Sequence, residues 1–406
     1  MRVAYLVSRY PAVSHAFLQR EVRGLRDSGV DVLTVSVRRA APEDVLSDVD
    51  RQEAARTLWL VPPSAAALVR AHLAAARHPI AWLGTLLGGM RDAPGRRAMQ
   101  VLYWGEAVLL WDLLRRRGHR HVHAHFANNA SDIALLVARL GRRAGEGPSS
   151  FSLTVHGPTD FYDVERNRLA LKGEEATGVL CISDFARSQM MGRVAPERWG
   201  DLHVARYGAP SLDDAHARNP DRTPNTALQL LTVGRLAPVK AQALLLEALG
   251  LVVGQGVDAR LEVVGDGPLR GALEEAVRRL GLEERVTLHG ALGQDEVARL
   301  YGSADVFCLA SVAEGLPVVA LEAMAAGVPV VAPAIMGIPE AIGHEREGLL
   351  VAPGRADQIA DALLRLARDP ALLRRLGEAG RARAAGELSH ETSIAGIRSA
   401  LEAVIR

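Results

Sequence analysis

The chain has 406 residues, 49% of them hydrophobic and 23% charged, and its 48 basic and 47 acidic side chains leave a net charge of +1. Two domains are expected at this length, the composition excludes a disordered or fibrous chain, and the charge balance excludes wholesale nucleic-acid binding. The two cysteines, Cys181 and Cys308, lie in apolar runs and read as reduced, buried thiols rather than a disulfide framework or a metal site.

In chain order, MRVAYLVSRYP opens on a strand without the apolar core and cleavage site of a signal peptide, so a cytoplasmic location is expected. No run approaches the ~20 apolar residues of a spanning helix. A helix over 14–27, a turn at Gly29 and the strand DVLTVSV make a βαβ beginning. The polar stretch EDVLSDVDRQEA carries Asp48 and Asp50 in the spacing of a metal-binding DxD, and reads as a solvated loop. From about 64 to 117 the pattern is helical, an insertion whose tryptophans are flanked by arginines 91, 96, 97, 115, 116, 117 and 120. Solvated helix faces are the first reading of that combination, and peripheral contact with an anionic membrane or acceptor is the second. Strands follow at HVHAHF, FSLTVHG and GVLCIS, with helices between them, and the half ends near DLHVARYGAP.

The turn-rich segment at 211–226 reads as a linker, so the first domain covers 1–210. The second, at 227–386, alternates helices with the strands LQLLTVG, RLEVVG, RVTLHG, DVFCLA, PVVAP and GLLV. That pattern predicts a doubly wound parallel sheet. A last helix over 387–406 is expected to return to the first domain.

The residues that carry chemistry cluster at strand ends. TVGRLAPVK places Gly234, Arg235 and Lys240 between a strand and a helix start, where two cations and free amides suit a pyrophosphate. Lys172 and Lys240 are the only lysines, so a compact ammonium at 240 stands out against the arginine bias; Lys172 offers little sign of a cofactor pocket. Gly265, Asp266 and Gly267 follow the next strand, where glycines admit a phosphate or base closely. In SVAEGLPVVALEAMAAG, Pro317 suits the first helical position, Glu314 lies at the helix mouth, and Glu322 is a lone acid on its second turn. His121, His123 and His125 alternate on one face of a strand, and His156 ends another beside Gly157. Zinc is one reading of the three alternating histidines, but without a Cys partner or a nearby HExxH helix a site-facing or structural role is expected first.

In order and spacing, VGRLAPVK, VVGDGPL, EGLPVVALEAMAAGVPVVAP, GIPEAI and EGLLVAPG resemble the retaining family 4 glycosyltransferases of the GT-B fold. YPAVSHAFLQREVRGL, HVHAHFA, TVHGPTDF and CISDFAR are similar to the exopolysaccharide and colanic-acid branch. The resemblance implies two Rossmann-like domains facing across a cleft. Arg235 and Lys240 would hold the donor diphosphate with the amides around Gly315 and Leu316, Glu322 would take the ribose, and Glu314 and His156 would face the sugar. Ser14, His15, His125 and Asp160 are the acceptor-side candidates. The sequence departs from the family pattern at SHAF, RYGAP and MGIPE, and at Ala241, where a glycine commonly follows the lysine.

The expected activity is metal- and cofactor-independent transfer of a hexose-type sugar, with retention, from a UDP-sugar or another nucleoside diphosphate sugar to a hydroxyl acceptor. A polysaccharide or lipid-linked intermediate at the inner membrane face is the acceptor expected first, a small secondary metabolite the second. A nucleotide-sugar epimerase and a non-catalytic nucleotide-sugar-binding protein are the competing readings.

Overall fold

The computed structural model describes residues 1–12, 15–41, 45, 47–210 and 227–405. The linker expected at 211–226, and Ser14, lie outside the described residues. The chain divides into two compact units, Met1–Ala205 with Ile394–Arg406, and Arg206–Ser393.

The first unit runs β1 (Arg2–Arg9), α1 (Ala16–Asp27), β2 (Asp31–Arg38), α2 (Asp48–Arg56), β3 (Leu58–Val61), α3 (Ala65–Ala76), α4 (Pro79–Asp92) and α5 (Arg97–Arg116). It continues with β4 (His121–His125), α6 (Asn129–Ala144), β5 (Ser150–Val155), α7 (Pro158–Phe161), α8 (Leu169–Glu175), β6 (Val179–Cys181), α9 (Asp184–Met191) and β7 (Leu202–Val204). Its seven strands pair in parallel in the order β3-β2-β1-β4-β5-β6-β7. Such a sheet is covered on both faces, and β1 shows how. Ala4 and Leu6 enter a core with Val108, Trp111 and Leu135. Val3, Tyr5 and Val7 point the other way, to Leu18, Val22 and Leu25 of α1. The stretch carrying Asp48 and Asp50 is a helix start rather than a loop. Asp50 accepts from the Ser47 N–H at 2.8 Å while the Ser47 hydroxyl accepts from the Asp50 N–H, a capping box that uses the acid locally.

The second unit has β8 (Leu228–Val233), α10 (Gln242–Gly254), β9 (Ala259–Val264), α11 (Arg270–Arg279), β10 (Val286–Gly290), α12 (Gln294–Ser303) and β11 (Val306–Cys308). Then come α13 (Val318–Ala325), β12 (Val330–Pro333), α14 (Ile338–Ala341), β13 (Gly348–Val351), α15 (Ala356–Arg368) and α16 (Pro370–Ala385). Its parallel sheet has the order β10-β9-β8-β11-β12-β13, that of a dinucleotide-type fold. Leu245, Leu249 and Val252 of α10 pack with Ile359 and Leu363 of α15 over one face.

The final helix, α17 (His390–Val404), starts in the second unit. From Ile394 onward it belongs to the first unit, where Ile394, Ile397, Leu401 and Val404 join the core behind β1, and Arg398 donates to the Ser28 carbonyl at 2.8 Å.

Candidate functional site

In the second unit the strand order reverses between β8 and β11, the position at which open α/β sheets bind ligands. The β8–α10 loop ends in a 3-10 turn over Pro238–Lys240, and the Val312 N–H donates to the Val239 carbonyl at 2.9 Å, tying that turn to the loop after β11. There the Lys240 ammonium donates to Glu314 Oε1 at 2.6 Å, and the Ser311 hydroxyl donates to the same oxygen at 2.6 Å. Glu314 is only 8% exposed, so an unpaired carboxylate would be costly; the ammonium offsets that cost and keeps two further donors. Arg235 is exposed and has no acidic partner among the described residues. The N–H groups of Gly315 and Leu316 donate to no acceptor among those residues.

Pro317 is not the first helical residue. It caps α13 in an extended conformation (ψ 96°), three residues after Glu314, which Ser311 and Lys240 hold. Glu322 is half-buried, with the Tyr301 hydroxyl 3.2 Å from its Oε2. Gly265 and Gly267 serve the protein's own backbone. The Leu236 N–H donates to the Asp266 carbonyl at 3.0 Å and the Leu269 N–H to the Leu236 carbonyl at 3.1 Å. A Cβ at Gly267 would sit 2.3 Å from Leu236 O, and one at Gly265 2.1 Å from Gly234 O. These glycines fasten the Arg235 loop to its neighbour; Asp266 itself is exposed and accepts from the Gly267 N–H at 2.7 Å.

In the first unit the order reverses between β1 and β4. The three β4 histidines do share one face, but His121 and His123 are deep, and each lies against two hydroxyls of β5. His121 contacts Ser150 Oγ at 2.8 Å and Ser152 Oγ at 2.7 Å; His123 contacts Ser152 Oγ at 2.7 Å and Thr154 Oγ1 at 2.9 Å. Burial lowers the His121 pKa to about 4 and holds that of His123 well below the usual range.

Only His125, at the strand end, reaches toward His156, with its Nδ1 3.1 Å from His156 Nε2. His125 is 0% and Asp160 3% exposed, and both Asp160 oxygens accept backbone N–H groups, of Ala127 at 2.8 Å and His156 at 2.6 Å. Both residues hold His156 in place, Asp160 through the His156 backbone N–H and His125 through its ring. Burial, and then the charge of other histidines, puts the pKa of His125 and of His156 well below 6.5. His15 packs tilted against Phe126, with 5.2 Å between ring centres, and Phe126 stacks on His156 at 4.0 Å.

Four further residues hold this array. Buried Glu21 accepts the Tyr5 hydroxyl at 2.7 Å and lies 3.8 Å from His125 Nε2; burial raises its pKa to about 7. Phe17 packs against His156 at 5.5 Å. Phe126 has a left-handed backbone (φ 70°), and Lys172 secures the turn after it, donating to the Ala127 carbonyl at 2.9 Å while pairing with Asp132 at 2.6 Å. Rarity was the one signal that could have singled out Lys172. Among the described residues no group of three His, Cys, Asp or Glu side chains could hold a metal ion.

The sequence model of the family described as "Glycosyl transferases group 1" matches residues 213–383. The chain is 24% identical over 387 residues to the colanic acid biosynthesis glycosyltransferase WcaL of Salmonella typhimurium, covering 91% of each protein. It is 30% identical over 272 residues to a Mycobacterium tuberculosis GDP-mannose-dependent alpha-(1-6)-phosphatidylinositol monomannoside mannosyltransferase, covering 62% of this chain and 68% of that one. Among solved structures it resembles Anabaena HepE in complex with UDP and glucose, with a TM-score of 0.72 and 19% identity over 99% of both chains, a likeness of fold.

Proposed function

The chain belongs to the group 1 glycosyltransferases, and from that membership we propose that it transfers a hexose-type sugar, with retention and without a metal ion, from a nucleoside diphosphate sugar to a hydroxyl acceptor. A UDP-sugar is the donor to test first, and the acceptor is a polysaccharide or glycolipid intermediate at the inner face of the membrane. The observation that carries the reading is the Lys240–Glu314 pair at the strand reversal of the second unit, beside exposed Arg235 and the amides of Gly315 and Leu316.

In this mechanism the donor diphosphate lies against Arg235, the spare Lys240 donors and those amides. As the bond between sugar and phosphate breaks, the acceptor oxygen attacks the same face, and the departing phosphate oxygen takes the acceptor's proton. The two cations stabilise the charge growing on that phosphate, the work a divalent cation does elsewhere. Glu314 accepts sugar hydroxyls while its bond to Lys240 holds its carboxylate in place. Glu322 accepts the ribose hydroxyls, since a carboxylate can take two vicinal O–H groups. His156, neutral at ordinary pH because of burial, serves the sugar and acceptor as a hydrogen-bonding group rather than as a cation.

The test is release of nucleoside diphosphate in the presence of candidate acceptors. Lys240→Ala is expected to lower kcat/KM about 10²–10³-fold, the usual loss when one preorganised charge is removed from a reacting centre. Full activity in that variant overturns the phosphate assignment. Epimerised donor in the absence of any acceptor would overturn the transfer reading.

A further inference from the structure

Eight of the fourteen large apolar side chains left exposed in the described residues lie on α3, α4 and α5. The rest are scattered singly, which is ordinary for a surface. Helix α4 is the clearest case, with no charge from Pro79 to Met90. Its Ala81, Thr85 and Gly89 are buried, while Ile80, Leu83 and Leu87 recur at i, i+3 and i+7 on the other side, with Ile80 87% and Leu87 64% exposed.

The charge around this face is predominantly positive. Residues 64–117 hold eight arginines and three acids, in a chain whose total is +1. Two of those acids are turned away from water. Asp112 is buried beneath Arg70, Arg115 and Arg116, and Asp92 pairs with Arg139 at 2.6 Å. Arg77, Arg97 and Arg143 are exposed and have no acidic partner among the described residues. Beside α4 lies a pocket of about 210 Å³ lined by Arg91, Arg139, Arg142, Arg143 and Glu175. The glycines of α4 admit these arginines: a Cβ at Gly84 would be 3.5 Å from Arg143 Nη1, and one at Gly88 3.7 Å from Arg139 Nη1. Its lining has four arginines and one acid: Glu175 pairs with Arg139 and, at 3.0 Å, with Arg142, and Asp92 holds Arg91 and Arg139, so Arg143 is the pocket's arginine without an acidic partner among the described residues.

We propose that the α3–α4–α5 face docks on an anionic phospholipid bilayer, α4 lying in the plane of the interface with Ile80, Leu83 and Leu87 among the acyl chains and the arginine pocket on a lipid phosphate. An apolar stripe rimmed by arginines, of which Arg77, Arg97 and Arg143 have no acidic partner among the described residues, matches that surface in both of its chemistries. A protein partner would have to supply an acidic rim around an apolar ridge. No described helix is long and apolar enough to cross a membrane, so the contact is peripheral. The inference deepens the reading of a membrane-side acceptor given above, but its test reads no turnover, so each can fail without the other.

The full chain is sedimented with vesicles of phosphatidylcholine containing one third phosphatidylglycerol, and with pure phosphatidylcholine. Binding is expected to the anionic vesicles, about tenfold weaker to the neutral ones, and to weaken as salt rises. Ile80→Ser with Leu87→Ser, and separately Arg142→Glu with Arg143→Glu, should each lower anionic-vesicle binding about tenfold at an unchanged melting temperature. Equal binding to both vesicle types overturns the proposal, as does binding to neither. A dimer in solution that the Ile80→Ser, Leu87→Ser pair disperses would assign the face to a second copy of the chain instead.

Discussion

Lys172 and Lys240, one in each unit, meet the same kind of demand. Lys172 is fully buried, with its Nζ 2.6 Å from Asp132, 2.9 Å from the Ala127 carbonyl and 3.3 Å from that of Asn128. Three donors spread around one point serve such a site, and a planar fork does not. The same argument holds at Lys240, between Glu314 and the proposed diphosphate, so Lys240→Arg is expected to restore little of what Lys240→Ala loses. Turnover of the arginine variant within threefold of the parent would contradict this. Ala241 and Met336 have left-handed backbones, at φ 47° each. Both lie in segments where the sequence departs from the glycine-bearing family pattern. An L-residue there carries a strain of about 1–2 kcal/mol, against about 0.4–1 kcal/mol of extra unfolded-state entropy for glycine. Ala241→Gly is therefore expected to stabilise the chain by about 0.5–1 kcal/mol in denaturant unfolding; a loss of stability would refute the strain argument.

At the scale of elements, two junctions decide how the sites are held. The β4–β5 histidines fold neutral, so their folded pKa lies below the unfolded value. Their stabilisation is therefore present above pH 6.5 and lost as pH falls toward about 4, the value for His121. Glu21 works the other way, contributing below about 4.5 and losing that contribution as pH rises through about 7. Four histidines outweigh one carboxyl, so the melting temperature is expected to fall steadily from pH 6.5 to 4; a flat profile over that range contradicts the ladder's neutrality. In the second unit Gly267→Ala would force a Cβ onto the Leu236 carbonyl, 2.3 Å away. It is expected to destabilise the chain by more than about 1 kcal/mol and to weaken nucleotide binding by moving the Arg235 loop. An unchanged melting temperature would refute the tight stitching of these loops.

Over the whole molecule, much of the architecture was legible because strands buried on both faces are short apolar runs. VAYLV, SLTV, LQLLTV and VFC announce β1, β5, β8 and β11 in that way. β3, four residues between two helices, gave too little pattern to read. The helical run over 64–117 was legible as helices, but which face stayed exposed depended on what α5 and α6 cover. At the sites, residue type and strand-end position brought out Lys240, Glu314 and His156. The pairing of Lys240 with Glu314, 74 residues apart, could not be read, nor could the Glu21–His125–His156 array, since both need strands that meet only in the folded sheet. Gly265 and Gly267 were recognised as close-approach positions, but sequence cannot distinguish a ligand from the chain's own backbone as the approaching group.

The central claim is that the Lys240–Glu314 junction holds a nucleoside diphosphate, and calorimetric titration of UDP into the parent chain and into Lys240→Ala tests it most directly. Saturable 1:1 binding that weakens at least tenfold in the variant is the predicted result. Unchanged affinity in Lys240→Ala, or no binding of UDP, GDP or ADP to the parent chain, would contradict it.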